Sequence, residues 1–196
     1  EFFVNPALQQ LIQIALDNNR DLRLAALNVE RTQALYRIQR ADRLPSVNGS
    51  FGLQRQPSVL TGEQTSNYSI GLGITAFELD FFGRVKDLTR AALSSYMATE
   101  EAQRTAQIAL VAGVANAYLG LQSLDEQLAL TRATLKTRED SQQLTQLQYR
   151  NGAASELDAK QADSLVYTAR ATLATLQRQR DVAYDALAVL LGQQPP

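Results

Sequence analysis

Hydrophobic positions along this chain follow two different periods, and the switches between them divide it into segments. Leu8, Leu11, Ile12, Ala15 and Leu16 recur at three- and four-residue spacing and predict a short helix with one apolar face. Asn5 suits its N-cap and Pro6 its first helical position, where no backbone N–H is needed. Asp17-Asn18-Asn19 breaks the pattern. A second helix is predicted at about 20–42, with Leu24, Leu27, Ala34, Leu35 and Ile38 on its apolar side and Arg23, Arg31 and Arg37 elsewhere. Pro45 ends it, because the residue before a proline is pushed toward extended geometry.

The period then becomes two. Val47, Gly49, Phe51 and Leu53 alternate with Asn48, Ser50, Gly52 and Gln54, and Tyr68, Ile70, Leu72, Ile74 and Ala76 alternate with small or polar residues. Two strands of about ten residues are predicted at 46–56 and 67–76, joined as a hairpin by a polar loop at 57–66. An amphipathic hairpin on a soluble core would show this alternation, and so would a pair of strands in a membrane barrel. Uniformly small partners opposite large apolar residues, a length near ten, and the aromatics Phe77, Phe81 and Phe82 at the interface level fit the barrel. A lone hairpin can neither persist in water nor close a barrel, so the barrel reading requires several copies.

From residue 84 to 150 there is no proline and no obvious loop signal. At 1.5 Å per residue the predicted helix is about 100 Å long, far beyond the usual ~8–20 residues. Val111, Val114, Tyr118, Leu121, Leu124, Leu128 and Leu135 form its stripe, which turns polar at Arg138 and Gln142. Asp80 is the candidate N-cap, and Gly113 and Gly120 suggest close packing against a neighbour. Asn151-Gly152 is a stop with Gly152 at the left-handed position, and Ser155 with Asp158 makes a capping-box start. A final helix at about 156–191 returns antiparallel. Ala169, Leu173, Leu176, Arg180, Ala183, Leu187 and Leu190 give it a heptad seam with one charged member. It covers about half of the long helix, so the helix at 20–42 is the expected partner for the other half.

Composition narrows the chemistry. Lys and Arg total 19 against 20 Asp and Glu, with no histidine and no cysteine. A near-neutral chain without basic clusters carries no nucleic-acid footprint. The commonest general base, the commonest metal ligands and thiol chemistry are removed, and no cofactor is called for. Glu100-Glu101 and Glu139-Asp140 are adjacent on helices and point apart, so they read as solvated faces rather than an acid–base pair. The longest apolar stretch, 108–121, is shorter than a transmembrane helix and holds Asn116, and Glu1-Phe2-Phe3 does not open a signal peptide.

Several segments, in order, resemble the outer membrane factors of tripartite efflux pumps (TolC/OprM-type). The opening FFVNPALQQLIQIALDNNRDLRLAALNVERTQALYRIQRADRLPSV resembles the lipoprotein branch that works with resistance-nodulation-division (RND) pumps. FELDFFGRV at 77–85 resembles its strand-to-helix signature, with Phe77 where Trp is usual. LVAGVANAYLGL at 110–121 and YRNGAASELDAKQA at 149–162 resemble its long-helix centre and periplasmic hairpin.

The resemblance implies a mainly α fold with a β-hairpin. A long antiparallel coiled-coil stave of an α-helical barrel (84–150 against 20–42 and 156–191) would carry two strands of an oligomeric outer-membrane β-barrel. One repeat would fill 1–196: upper helices at 1–45, the membrane hairpin at 46–76, the periplasmic helix at 77–150, the tip turn at 151–155 and the returning helix at 156–196. It further implies a passive, non-enzymatic exit duct in the outer membrane of a Gram-negative bacterium, reaching into the periplasm and conferring multidrug resistance.

Family members are trimers of two-repeat protomers, so six copies of this repeat unit would rebuild the duct. Partners would be a periplasmic adaptor (membrane fusion) protein, an inner-membrane RND transporter and outer-membrane lipid. By position, Arg150, Asn151, Gly152, Ala154, Ser155 and Asp158 form the tip where the adaptor docks, with Arg150 and Asp158 as ionic neighbours. Tyr68, Ile70, Leu72 and Ile74 would face lipid. The chain is about half of a full member, so the second repeat with its gate residues, the signal peptide and the acylated cysteine are expected outside it. The competing reading is a soluble coiled-coil scaffold or helical-hairpin adaptor without a barrel.

Overall fold

Helix α1 (Pro6–Asn18) starts where the Asn5 side-chain oxygen accepts the N–H groups of Ala7 at 2.9 Å and Leu8 at 3.4 Å. The remaining elements follow as α2 (Arg20–Ala41), β1 (Val47–Pro57), β2 (Gln64–Ile74), α3 (Arg84–Arg150) and α4 (Glu156–Leu191). The structure is a computed structural model describing residues 4–57, 64–74, 77 and 79–195. The chain divides into two compact units, Glu1–Arg23 with Thr105–Pro196, and Leu24–Arg104.

The first unit holds the core. Leu8, Leu11 and Ala15 of α1 bury their predicted face against Leu110, Val114 and Ala115 of α3, Leu187 and Leu191 of α4, and Leu22. Asn19 joins three helix ends there. Its N–H donates to the Ala15 carbonyl at 2.8 Å, closing α1, and its side-chain oxygen accepts the Leu22 N–H at 2.9 Å, capping α2. Its amide donates to the Leu190 carbonyl at 2.9 Å, one of the orphan acceptors ending α4. Gly192 follows in the left-handed region with φ of 71°, where a Cβ would lie 2.3 Å from the Asn18 carbonyl oxygen.

Along the α3–α4 hairpin the heptad seam of α4 is buried or half-buried at every predicted position, and it continues through Val166 and Ala159. Arg180, the charged member, is satisfied: its guanidinium donates to Asp125 at 3.0 Å and lies over the Tyr184 ring. On α3 the polar continuation differs from expectation, because Glu139 rather than Arg138 enters the seam. A four-residue step from Leu135 keeps the helix stripe on the interface, and Arg170 pairs with Glu139 at 2.7 Å. Nearer the turn, Gln142 and Gln146 both donate to one Asp163 oxygen, at 2.6 and 3.2 Å. Gly113 meets the Leu190 side chain at ordinary contact distance, whereas Gly120 has nothing within 4 Å. The predicted close packing therefore holds within the chain at the first glycine alone.

In the second unit, α2 does not bury its predicted face. Leu24, Leu27, Leu35 and Ile38 are 52 to 67 % exposed. The half-buried side of α2 is mixed and largely free of large aliphatics instead, with Ala25, Val29, Thr32, Gln33, Tyr36 and Gln39 among its members. Thr32 and Thr99 share a hydroxyl hydrogen bond at 2.7 Å, and Tyr36 stacks on Tyr96 with centroids 6.4 Å apart. Tyr96 also hydrogen-bonds Glu100, which raises its phenol pKa above the usual value. Small residues allow close helix approach and hydroxyls satisfy one another, so this pairing needs no leucine seam. The helix at 20–42 is the partner of the first part of α3, as expected, but through its other side.

Candidate membrane hairpin and tip turn

The two strands pair antiparallel from Val47↔Ile74 to Pro57↔Gln64. Val47, Phe51 and Leu53 therefore oppose Ile74, Ile70 and Tyr68, with Gly49 opposite Leu72, and all share one face. Ile70 and Leu72 are 83 and 84 % exposed, and Tyr68, Ile74, Val47 and Phe51 are exposed as well. Arg55 ends the apolar face, donating to the Ser66 hydroxyl at 3.2 Å. The opposite face pairs Asn48↔Gly73, Ser50↔Gly71, Gly52↔Ser69 and Gln54↔Asn67. Its glycines make room for hydroxyls: a Cβ on Gly52 would lie 2.6 Å from the Ser69 oxygen.

Residues Gln64 to Ser66, expected in the loop, extend β2, and β1 runs on through Pro57. Cross-strand pairing continues past the point where the apolar alternation stops, because backbone groups must pair whatever the side chains are. The remaining loop positions 58–63, and Thr75 and Ala76 at the strand end, lie outside the described residues.

Phe77, Phe81 and Phe82 stand in the connection to α3. Phe82 is fully exposed, Phe81 nearly so, and Phe77 is half-exposed beside Leu44, Pro45 and Val85. Asp80 caps α3 from outside the usual N-cap position. Gly83, with φ of 81°, turns the chain so that the Asp80 carboxylate accepts the Lys86 N–H at 3.0 Å. That bond, with weaker ones from Val85, Arg84 and Gly83, holds the Asp80 carboxyl below the usual carboxylate value.

At the other end of α3 the turn is a Schellman motif. The Ala153 N–H donates to the Gln148 carbonyl at 2.8 Å and the Gly152 N–H to the Tyr149 carbonyl at 3.0 Å, with Gly152 at φ of 73°. Ser155 then caps α4 reciprocally. Its hydroxyl accepts the Asp158 N–H at 3.2 Å while the Asp158 carboxylate accepts the Ser155 N–H at 3.0 Å. The Ser155 hydroxyl and N–H lower the Asp158 pKa. The Asp158 carboxylate accepts from the Ser155 hydroxyl and N–H, and no ion pair joins it to Arg150 among the described residues. Arg150, Asn151, Gly152, Ser155 and Asp158 are all exposed, and Ala154 is half-buried.

The adjacent carboxylates lie apart: Glu101 pairs with Arg104 at 2.9 Å and Glu100 accepts from Tyr96. By average hydropathy and length, α3 alone among the described helices could cross a membrane. The expectation that no stretch qualifies rests on unbroken apolar runs, and an average tolerates Asn116.

The family of outer membrane efflux proteins matches residues 11–193, and the chain belongs to it. The toluene efflux pump outer membrane protein TtgC of Pseudomonas putida is 50 % identical, over 98 % of this chain and 41 % of its own length. A membrane protein from Pseudomonas aeruginosa superposes with a TM-score of 0.87 at 47 % identity, over 98 % of this chain and 46 % of that one. The open state of the Neisseria gonorrhoeae MtrE outer membrane channel matches at 0.82 and 35 % identity, over 97 and 43 %. The chain thus spans about two fifths of the length of the curated relatives it matches. The fold class agrees with these channels. Their outer-membrane siting agrees with the localisation expected from the sequence, the outer membrane of a Gram-negative bacterium.

Proposed function

We propose that this chain is the first structural repeat of an outer-membrane exit duct that passively releases drugs and other small toxic compounds, without catalysis or cofactor. The observation that carries the reading is the hairpin. It sets Tyr68, Ile70, Leu72, Ile74 and Phe51 on one face and glycine, serine and asparagine on the other. An apolar face opposite a small polar one suits lipid on one side and a wet lumen on the other. A soluble scaffold would have to expose that face to water, which is the objection to the competing reading.

Two strands cannot close a barrel, so a twelve-stranded wall needs six copies of this unit, supplied by three two-repeat protomers. The exposed Leu24, Leu27, Leu35 and Ile38 of α2 would then be covered by a helix of the neighbouring repeat. Phe81 and Phe82 would lie in the aromatic girdle. The tip residues Arg150, Asn151, Gly152, Ala154, Ser155 and Asp158 would meet the hairpin of a periplasmic adaptor serving an inner-membrane RND transporter. Apolar solvents and antibiotics are the expected cargo, as the names of relatives suggest.

The test is reconstitution of the assembled protein in planar bilayers, where discrete conductance steps are expected. Full solubility without detergent, with Ile70 and Leu72 protected from a lipid-phase photolabel, would overturn the duct.

A further inference from the structure

The C-terminal turn of α2 carries a cationic groove to which the duct reading gives no task. Arg37, Arg40 and Arg43 line it together with Ala41 and Leu44, around a volume of about 500 Å³. The three arginines and Leu44 are exposed. No described carboxylate pairs with them: Arg37 donates to the Gln33 side chain at 3.3 Å, and the Asp42 carboxylate accepts from Gln39 at 2.9 Å. The Arg40 and Arg43 guanidinium groups are engaged by no described partner.

Nor do these side chains close the helix. Its last carbonyls, at Ile38, Gln39, Arg40 and Ala41, accept from the Asp42 N–H, the Thr89 hydroxyl, the Arg43 N–H and the Leu44 N–H. One cation would satisfy the helix dipole at this end. Three lining one groove exceed that need. The groove also has an apolar edge: Leu44 is 70 % exposed, and three residues on, Val47 opens the apolar face of β1. The chain leaving the hairpin shows Phe77, Phe81 and Phe82.

We propose that Arg37, Arg40 and Arg43 bind the phosphate of an anionic phospholipid, of the phosphatidylglycerol class, at the periplasmic surface of the outer membrane. Leu44 lies against the first acyl carbons. Guanidinium groups form charge-assisted, bidentate hydrogen bonds with phosphate oxygens. A soluble phosphate would have no use for the apolar edge. This site rests on the hairpin lying in the membrane.

The assembled protein is incorporated into phosphatidylcholine nanodiscs doped with phosphatidylglycerol, and retained lipid is read by native mass spectrometry. Phosphatidylglycerol retention is expected to exceed that of phosphatidylcholine. It should fall roughly fivefold per arginine removed, and on the order of a hundredfold in R37Q/R40Q/R43Q. The R37K/R40K/R43K variant should keep only part of the preference, since an ammonium supplies the charge without the bidentate fork, and high salt should weaken it. Unchanged preference in the triple glutamine variant overturns the site. Displacement of the lipid by millimolar inorganic phosphate overturns the lipid assignment in favour of a soluble anion. Insertion without any headgroup preference removes the site and leaves the membrane hairpin standing, whereas failure to enter any bilayer removes both.

Discussion

Helices α1 and α2 carry apolar stripes of the same spacing and meet opposite fates. Leu8, Leu11 and Ala15 are buried, whereas Leu24, Leu27, Leu35 and Ile38 stand in the open. Periodicity marks a face that needs covering, but not the partner that covers it. Helix α1 finds its partners, α3 and α4, inside the chain. Helix α2 meets α3 through Thr32 and Tyr36, and leaves Leu24, Leu27, Leu35 and Ile38 uncovered within the chain. The hairpin repeats the lesson in period two, since its apolar face, like its polar one, has no partner within the chain. In this chain the more hydrophobic face of an element is not reliably the covered one.

The contrast can be broken most severely at the α1 end. Gly192→Ala places a methyl group against the Asn18 carbonyl at a left-handed φ, and Leu187→Ala opens a cavity in the same core. For the leucine the expected loss is about 2–5 kcal/mol, and the glycine change should also be strongly destabilising. Both should show as lowered urea midpoints and faster amide exchange in α1 and α4. Asn19→Ala comes next, at about 1–3 kcal/mol, because it removes the α2 cap and strands the Leu190 carbonyl.

The same treatment of α2 should behave differently. L35A/I38A is expected to change the chain's own helicity little while weakening assembly, read as a shift from oligomer to smaller species in detergent-phase ultracentrifugation. Equal loss of secondary structure in the α1 and α2 variants would erase the contrast. The smallest effect belongs to the tip. The Asp158 carboxyl is depressed relative to its unfolded value near 3.8, so its capping contribution is complete above that pH. It is lost as pH falls through the lower folded value. Fraying of the first turn of α4 should therefore appear only in strong acid, and Asp158→Asn should flatten that step in amide exchange.

Much of this is legible along the chain because its signals are local. Pro6 after Asn5, the Gly152 stop, the Ser155–Asp158 box and the uninterrupted run at 84–150 all act within a few residues, and the helices end where they should. Asp80 reads as a cap from the sequence, although its reach of six residues depends on the turn at Gly83. Asn19 reads only as part of a break. That it ties three helix ends together depends on α4 arriving 171 residues later. No local pattern announces an amide meeting a distant carbonyl.

The order of residues along the chain settles which segments are helical, which are strands, and which face of each is apolar, because backbone propensity and periodicity are properties of neighbours. Which apolar faces are covered is settled only by packing. Packing puts α1 into the core, leaves Leu24, Leu27, Leu35 and Ile38 of α2 uncovered, and replaces Arg138 by Glu139 in the long seam. Those outcomes are set by which surfaces lie within contact distance, and hydrophobic attraction has no direction of its own to encode that choice in advance.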